Sequence, residues 1–321
     1  MDLFKRQGFV VLSAASAIFS VVVFPIAVFS TEANSGVEEV QQEMNILQAI
    51  FLGFVQGMTE FLPISSSAHL KVVPVALGWG DPGVAFTAII QLGSIVAVLW
   101  YFWDDMAQIA KGTTKAIAQK DYNSQDFQMF LGITLGTFPI VVFGLLIKRF
   151  IPDYDNSPLR SLTAIAIASI FMSLLLGLAE KLGKRQRDFQ HLTMKDGLWM
   201  GFAQCLALIP GVSRSGSTIT GGLFMSLERE TAARFSFLLG IPAITLAGLV
   251  ELKDFLAVGV GNIGMIPMII GTISSGIFSY MAIAGLIQFL KTQSTWVFIW
   301  YRLAFGILIL GAISTGFLKN S

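Results

Sequence analysis

Two short polar stretches carry the residues of this chain that could do chemistry. The first, residues 56–70, reads QGMTEFLPISSSAHL, and the second, residues 204–222, reads QCLALIPGVSRSGSTITGG. Each carries one full charge, Glu60 or Arg214, inside sequence that is otherwise as apolar as a membrane span. A charge at the centre of a bilayer costs about 2.5 to 3.5 kcal/mol, so it persists mainly in a wet, protein-lined cavity. The two stretches therefore predict one divided phosphate site.

The second stretch has the composition of a phosphate cradle. Small residues between 211 and 218 let backbone N–H groups approach an anion, and the planar fork of Arg214 matches phosphate oxygens. In the first stretch, Glu60 is a candidate base or cation ligand, the serines at 65–67 are candidate nucleophiles or donors, and His69 is a candidate proton relay. A helix break with an ion-paired arginine, and a structural histidine, are the alternatives that the residues leave open.

The composition identifies a polytopic membrane protein. Of the 321 residues, 54% are hydrophobic and 13% are charged, and the mean hydropathy is +0.72. A soluble core could not bury so much apolar surface. The net charge of +1 and the lack of a basic, aromatic-interleaved pattern give no indication of a nucleic-acid partner. A single cysteine, Cys205, excludes a disulfide framework and a thiolate metal cluster.

Uncharged runs long enough to cross about 30 Å of hydrocarbon predict membrane-spanning helices. They lie at residues 8–31, 82–103, 127–147, 161–179, 235–250, 264–290 and 292–318. Arg302 interrupts the last run, and we expect it to snorkel to the cytoplasmic boundary rather than face the bundle interior. Two more runs, 46–77 and 197–227, are divided by Pro63 and by Pro210 with Gly211, which predicts helix-turn-helix hairpins that enter and leave one membrane face.

The order of these elements predicts an all-α membrane fold with an inverted-topology repeat. Each half, 46–180 and 197–318, would contain one re-entrant hairpin and three spans. Because three is odd, the second half is inverted relative to the first, and the two hairpins meet at the membrane midplane. Residues 1–45 would form an extension, either an extra span or a signal peptide, with an acidic linker. The excess of Lys and Arg in alternate loops predicts a cytoplasmic amino terminus.

At the two polar stretches, the sequence resembles the undecaprenyl pyrophosphate phosphatases of the bacterial bacitracin-resistance type. That family carries an (E/Q)-x-x-x-E-F-L-P-(V/I)-S-S-(S/T)-x-H motif, matched here from Gln56 to His69. It also carries a P-G-x-S-R-S-G-x-T motif, matched from Pro210 to Thr218. Both motifs are long and specific, and the resemblance runs from about residue 46 to the carboxyl end.

The resemblance implies hydrolysis of C55 isoprenyl diphosphate to the monophosphate at the outer face of the bacterial plasma membrane. This reaction recycles the lipid carrier for peptidoglycan synthesis and confers bacitracin resistance. The catalytic positions that the resemblance implies are Glu60, Ser66, His69 and Arg214. The substrate-binding candidates are Gln56, Ser65, Ser213, Ser215, Gly216 and Thr218, of which the family places Ser213 and Thr218 on the phosphates.

The family is also linked to a divalent cation, Mg or Ca, for which Glu60 and Gln56 are the candidate ligands. Gln56 stands where many members have a glutamate, so this chain offers a cation one carboxylate and one amide oxygen rather than two carboxylates. We expect no organic cofactor; the expected partners are an isoprenyl diphosphate lipid and membrane lipid, and a homodimer stays open. A lipid flippase or anion transporter with the same repeat is the alternative. The cluster of Glu60, Ser66 and His69, which a carrier does not need, favours the phosphatase.

Overall fold

The computed structural model describes residues 44–151, 154, 157–258 and 264–320. The described residues form α1 (Ile46–Phe61), α2 (Ser66–Ala76), α3 (Gly83–Tyr101), α4 (Trp103–Gln119), α5 (Gln125–Phe150), α6 (Leu162–Leu182), α7 (Met194–Gln204), α8 (Arg214–Phe224), α9 (Arg229–Val258), α10 (Met265–Leu290) and α11 (Trp296–Ser314). The predicted span at 8–31 and nearly all of the predicted extension lie outside the described residues.

Long apolar helices dominate the described part of the chain. Five of them, α5, α6, α9, α10 and α11, are long and apolar enough to cross a membrane, and α3 with α4 make a sixth candidate if that pair, bent by 60°, counts as one span. The predicted spans within the described residues are therefore confirmed as helices. Helix α9 extends further than predicted, to 30 residues, and Pro242 lies inside it without ending it.

Both predicted helix breaks are confirmed. Four residues that include Pro63 separate α1 from α2, and residues 205–213 separate α7 from α8. Helix α1 has 16 residues, whereas α2, α7 and α8 have 11 each. At about 1.5 Å per residue, none of the four reaches across roughly 30 Å of hydrocarbon. These short helices bring their breaks into the interior of the bundle.

Each break ends on a serine with a left-handed backbone. Ser65 has a φ of 77° and Ser213 a φ of 75°, and each is the N-cap residue of the helix that follows. A non-glycine residue in such a conformation costs on the order of 1 to 3 kcal/mol and persists only where its surroundings impose it. Such residues cluster at functional sites, so the two serines mark where the chemistry should be sought.

Glycines fix the first helix of each broken pair against a long helix. Helix α1 packs on α10, and α7 packs on α5. A side chain added at Gly57 would lie 2.6 Å from the carbonyl oxygen of Ser275, and one at Gly201 would lie 2.5 Å from Cα of Gly136. Small residues let helices in a membrane approach this closely. The contacts fix the depth at which each break lies.

Polar contacts near the ends of α6 mark the two ends of the bundle. At one end, Lys71 Nζ donates to the carbonyl oxygen of Arg160 at 2.8 Å. At the other end, the buried carboxylate of Glu180 accepts from Arg229 at 2.5 Å and from the hydroxyl of Thr295 at 2.8 Å. Helix α2 leads to the first end, and α8 leads to the second.

Candidate active site

A cavity of about 200 Å³ lies between the two helix breaks. Both charged residues of the polar stretches, Glu60 and Arg214, line it. The polar part of the wall is completed by Ser65, Ser66, Ser67, Gln91 and Ser213, and the apolar part by Ile140, Ala207, Ala243, Ile244 and Ala247. The structure thus brings together residues about 150 positions apart, as the sequence predicted.

Glu60 is the centre of the polar contacts in this cavity. Its Oε2 accepts from the hydroxyl of Ser66 at 2.6 Å and from Nε2 of Gln56 at 3.1 Å. Its Oε1 lies 3.4 Å from Nη2 of Arg214. A serine hydroxyl within hydrogen-bond reach of a base is the arrangement of an activated nucleophile. Glu60 is therefore placed to take the proton of Ser66.

Arg214 has hydrogen-bonding capacity to spare. The side chain is only 10% exposed, and its buried Nε and Nη1 have no hydrogen-bond partner among the residues that the structure describes. The guanidinium lies over the ring of Phe61, 5.7 Å from its centroid. A buried donor without a partner costs about 1 to 3 kcal/mol, and an anion that accepted from the guanidinium would offset part of that cost. The geometry is that of an anion site.

Gly240 makes the room for that guanidinium. A methyl group on Gly240 would lie 2.8 Å from Cζ of Arg214 and closer still to its Nη1. Gly240 lies in α9, which packs against α8. No local sequence pattern singles out Gly240, because its effect depends on this contact between helices.

The serines of the second break hold the backbone rather than fill the cavity. Ser213 Oγ accepts from the N–H of Gly216 at 3.1 Å, and Ser215 Oγ donates to the carbonyl oxygen of Leu62 at 3.0 Å. Thr218 is fully buried; its hydroxyl donates to the carbonyl oxygen of Arg214 at 2.8 Å and pairs with Ser236 at 2.5 Å. Of the predicted substrate contacts in this stretch, Ser213 lines the cavity, and Ser215, Gly216 and Thr218 lie behind its wall.

His69 faces away from the cavity. Its Nδ1 is 2.7 Å from the carbonyl oxygen of Ser65, and its Nε2 is 2.6 Å from the hydroxyl of Tyr301. The ring stacks on Phe305 at a centroid distance of 4.3 Å and is fully buried. Since a carbonyl oxygen only accepts, Nδ1 carries the proton, and the unprotonated Nε2 accepts a hydrogen bond from the hydroxyl of Tyr301. In this arrangement His69 holds the carbonyl group of Ser65, the residue with the left-handed backbone in the first break.

Gln56 connects Glu60 to a buried polar chain. Its Nε2, besides binding Glu60, lies 3.4 Å from the hydroxyl of Ser94. That hydroxyl in turn contacts Ser275 at 3.0 Å and Ser279 at 2.8 Å. Gln56 is only 1% exposed, so it orients Glu60 from behind the wall.

The residues present do not fit a divalent cation held by the protein alone. In the part of the chain that the structure describes, no three His, Cys, Asp or Glu side chains come together. Both oxygens of Glu60 already accept hydrogen bonds, and Gln56 presents its amide nitrogen to one of them. Mg²⁺ is bound through one or two carboxylates together with substrate phosphates. Here the guanidinium of Arg214 lies beside the carboxylate of Glu60.

Two features of the site were not anticipated. The prediction that Arg302 snorkels is wrong: the residue is 1% exposed and donates to the carbonyl oxygens of Pro63 and Gly211. Those carbonyls, which the breaks release from helical hydrogen bonds, provide the buried partners that keep it inside. Gln91 lines the cavity, although the sequence analysis gave it no role. An amide within an apolar run was the signal that could have found it.

The comparisons with known proteins agree with one another. The family described as bacitracin resistance protein BacA matches residues 49–308. The undecaprenyl-diphosphatase of Nostoc sp. is 75% identical over 321 residues, which is 100% of both chains. The undecaprenyl-diphosphatase of Synechocystis sp. is 63% identical over 288 residues, or 90% of this chain and 88% of the other. That of Gloeobacter violaceus is 53% identical over 281 residues, or 87% and 96%.

Proposed function

Since its sequence matches that family over residues 49–308, this chain belongs to the bacitracin resistance protein BacA family, and we propose that it is an undecaprenyl-diphosphatase. The reaction is hydrolysis of undecaprenyl diphosphate to the monophosphate and phosphate, on a protein with several membrane helices. The observation that carries the proposal is the hydrogen bond of 2.6 Å between Ser66 and Glu60 in a cavity that Arg214 also lines. Nucleophile, base and phosphate clamp occur together there.

The mechanism follows from these contacts. The terminal phosphate binds to the guanidinium of Arg214 and to N–H groups at the start of α8, which neutralise its equatorial oxygens. Glu60 accepts the proton of Ser66, whose oxygen forms a bond to the terminal phosphorus while the anhydride bond to the inner phosphate breaks. Undecaprenyl monophosphate leaves. The departing monophosphate takes the proton from Glu60. A water then gives a proton to Glu60 as its oxygen attacks the phosphoserine, and Glu60 returns that proton to the oxygen of Ser66 as phosphate leaves.

Acid quenching tests this assignment. Substrate labelled in the terminal phosphate is mixed with the full-length protein, and the mixture is quenched in acid during turnover. We expect an acid-stable, alkali-labile label that disappears in Ser66→Ala and remains in the matched variant Ser67→Ala, since both serines line the cavity but only Ser66 contacts Glu60.

Other outcomes point to other nucleophiles. An acid-labile, alkali-stable label that persists in Ser66→Ala would transfer the role to His69. Turnover without any label would favour direct attack by water that Glu60 activates. The structure favours Ser66 because both ring nitrogens of His69 are already engaged.

The inverted repeat is part of the proposal. A separation of 148 residues relates Ser65 to Ser213, which have nearly the same φ, and the same separation relates Gln56 to Gln204. The packing of α1 on α10 has its counterpart in the packing of α7 on α5. These relations support two hairpins that enter from opposite ends of the bundle, within halves at 46–180 and 197–318.

The membrane orientation is the remaining part of the proposal. The protein lies in the bacterial plasma membrane, and its site opens to the outer face, where it recycles the carrier lipid for peptidoglycan synthesis and confers bacitracin resistance. In a Cys205→Ala background, cysteines at the exposed positions Asp81 and Lys319 should react with an impermeant thiol reagent in intact cells, and one at the exposed Lys184 should not. Labelling only of the cysteine at Lys184 would mean that the topology is the inverse of the one proposed.

A flippase or anion transporter is the second candidate. The broken helices and Arg214 would suit a carrier of anionic lipids equally well. A carrier gains nothing from a serine hydroxyl placed 2.6 Å from a carboxylate, so this contact favours the phosphatase. Phosphate release by the purified chain decides between them: lipid movement in vesicles without any phosphate release would support the carrier.

A further inference from the structure

Arg302 is a buried cation that the proposed mechanism does not use. It lies in α11 and is 1% exposed. Within the described residues its hydrogen bonds run to carbonyl oxygens: Nη1 to Pro63 at 3.0 Å, Nη2 to Gly211 at 2.8 Å and Nε to Ser169 at 3.5 Å. It does not line the cavity. A charge placed so deep in a membrane protein is costly, and such a charge is a candidate for a functional role.

The carbonyls of Pro63 and Gly211 are equivalent points of the two breaks. Each lies two residues before the left-handed serine, Ser65 in one break and Ser213 in the other. The two terminal nitrogens of one guanidinium therefore each hold one turn. Because the guanidinium is planar and rigid, it fixes the separation of the two turns as well as satisfying their carbonyls.

This separation matters because the reacting groups lie on opposite turns. Ser66 begins α2, one residue after Ser65, and Arg214 begins α8, one residue after Ser213. In-line attack on a bound phosphate requires the serine oxygen and the phosphate clamp to be correctly spaced, and a displacement of about 1 Å can cost roughly 10²-fold in rate.

We propose that Arg302 is a positioning residue that joins the two turns and sets the distance between the Ser66–Glu60 pair and Arg214. The proposal rests on the phosphatase function proposed above. It predicts that Arg302 acts through the turns, on the chemical step, without touching the substrate. An arginine that only satisfied helix ends would affect folding, and one that bound the lipid would affect substrate affinity.

We call the link from Arg302 to the carbonyl oxygens of Pro63 and Gly211 the clasp. Two variants disturb the clasp in different ways. Arg302→Lys keeps the charge but cannot reach both carbonyls with a rigid fork. Gly216→Ala leaves Arg302 in place and adds a methyl group 2.9 Å from its Nη1. The matched controls are Lys291→Met, which removes an exposed cation just before α11, and Gly177→Ala, whose methyl group would meet its nearest neighbour, on Ile299, at an ordinary 3.6 Å.

Kinetics of the folded full-length protein test the proposal. We expect kcat for phosphate release to fall roughly 10- to 100-fold in Arg302→Lys and in Gly216→Ala, with KM within about 3-fold of the parent and both controls near the parent. A KM raised tenfold at unchanged kcat would mean that Arg302 binds substrate and would overturn the proposal. A kcat per folded molecule within 2-fold of the parent in both variants would overturn it as well.

Hydrogen exchange separates this inference from the function on which it rests. In Arg302→Lys, the backbone amides of residues 62–66 and 209–214, apart from Pro63 and Pro210, should exchange faster together, while those of α4 and α5 should not change. Faster exchange in one turn only, or throughout the protein, would contradict a clasp between the two turns, whether or not Arg302→Lys folds in full yield. An inactive parent chain with the expected exchange pattern would refute the phosphatase and leave the clasp standing.

Discussion

Gly240→Ala should damage catalysis while sparing stability. The added methyl group would lie 2.8 Å from Cζ of Arg214, whereas carbon atoms in contact prefer about 3.5 to 4.0 Å. The guanidinium must therefore move by roughly 1 Å. A misplacement of that size costs about 10²-fold in rate, which corresponds to roughly 2.7 kcal/mol of transition-state stabilisation. Alanine is favoured over glycine in a helix by about 1 kcal/mol, so the midpoint of thermal unfolding should not fall.

The assay is phosphate release from undecaprenyl diphosphate by the purified protein, with the thermal midpoint measured on the same sample. The matched control is Gly144→Ala in α5, whose methyl group would meet its nearest neighbour, on Leu208, at 3.7 Å. A double-mutant cycle sharpens the test: when Arg214→Ala has removed the guanidinium, Gly240→Ala should raise the thermal midpoint and cost no further activity.

Two results would refute this reasoning. If Gly240→Ala turned over at the parent rate, the guanidinium would not need its observed position. If Gly240→Ala lowered the residual activity equally in the Arg214→Ala background, its effect would come from elsewhere in α9.

Four further outcomes are expected from the same assay. Arg214→Lys, which keeps the charge but loses the fork, should lower kcat by roughly 10³-fold or more; near-normal turnover would exclude bidentate binding. Glu60→Gln should lower kcat about 10²- to 10⁴-fold at unchanged folded yield. His69→Asn should cost only about tenfold, the effect of one lost hydrogen bond, and keep the phosphoenzyme; a loss as complete as that of Ser66→Ala would give His69 a direct part. A chelator should leave turnover unchanged, because the cavity does not fit a cation held by the protein alone; loss of turnover that Mg or Ca restores would contradict this and support the predicted cation.

The sequence predicted those features that depend on local composition. Apolar runs indicated the long helices, because a span needs about 20 such residues. Pro63 and Pro210 indicated the breaks, because proline removes a helical hydrogen bond. The charges of Glu60 and Arg214 indicated a common cavity, because neither could be left in lipid.

The features that were missed depend on contacts between distant helices. Arg302 binds carbonyls 239 and 91 residues away, and no local pattern reveals such partners. His69 follows Ser66 by three residues, which places the two near one another on α2, but six of the eleven residues of that helix are buried, and spacing does not reveal which side faces the cavity. The interior direction of Thr218 depends in the same way on its contact with Ser236 on α9.

The glycine contacts of the short helices have a consequence for bilayers of different thickness. A long helix responds to a thicker or thinner membrane by tilting, at a modest cost per ångström of mismatch. Helices α1 and α7 are too short to respond in this way, and Gly57 and Gly201 fix them to the backbones of α10 and α5. Tilting of α10 or α5 would therefore carry the attached break with it, and the cavity would keep its depth relative to the protein rather than to the lipid.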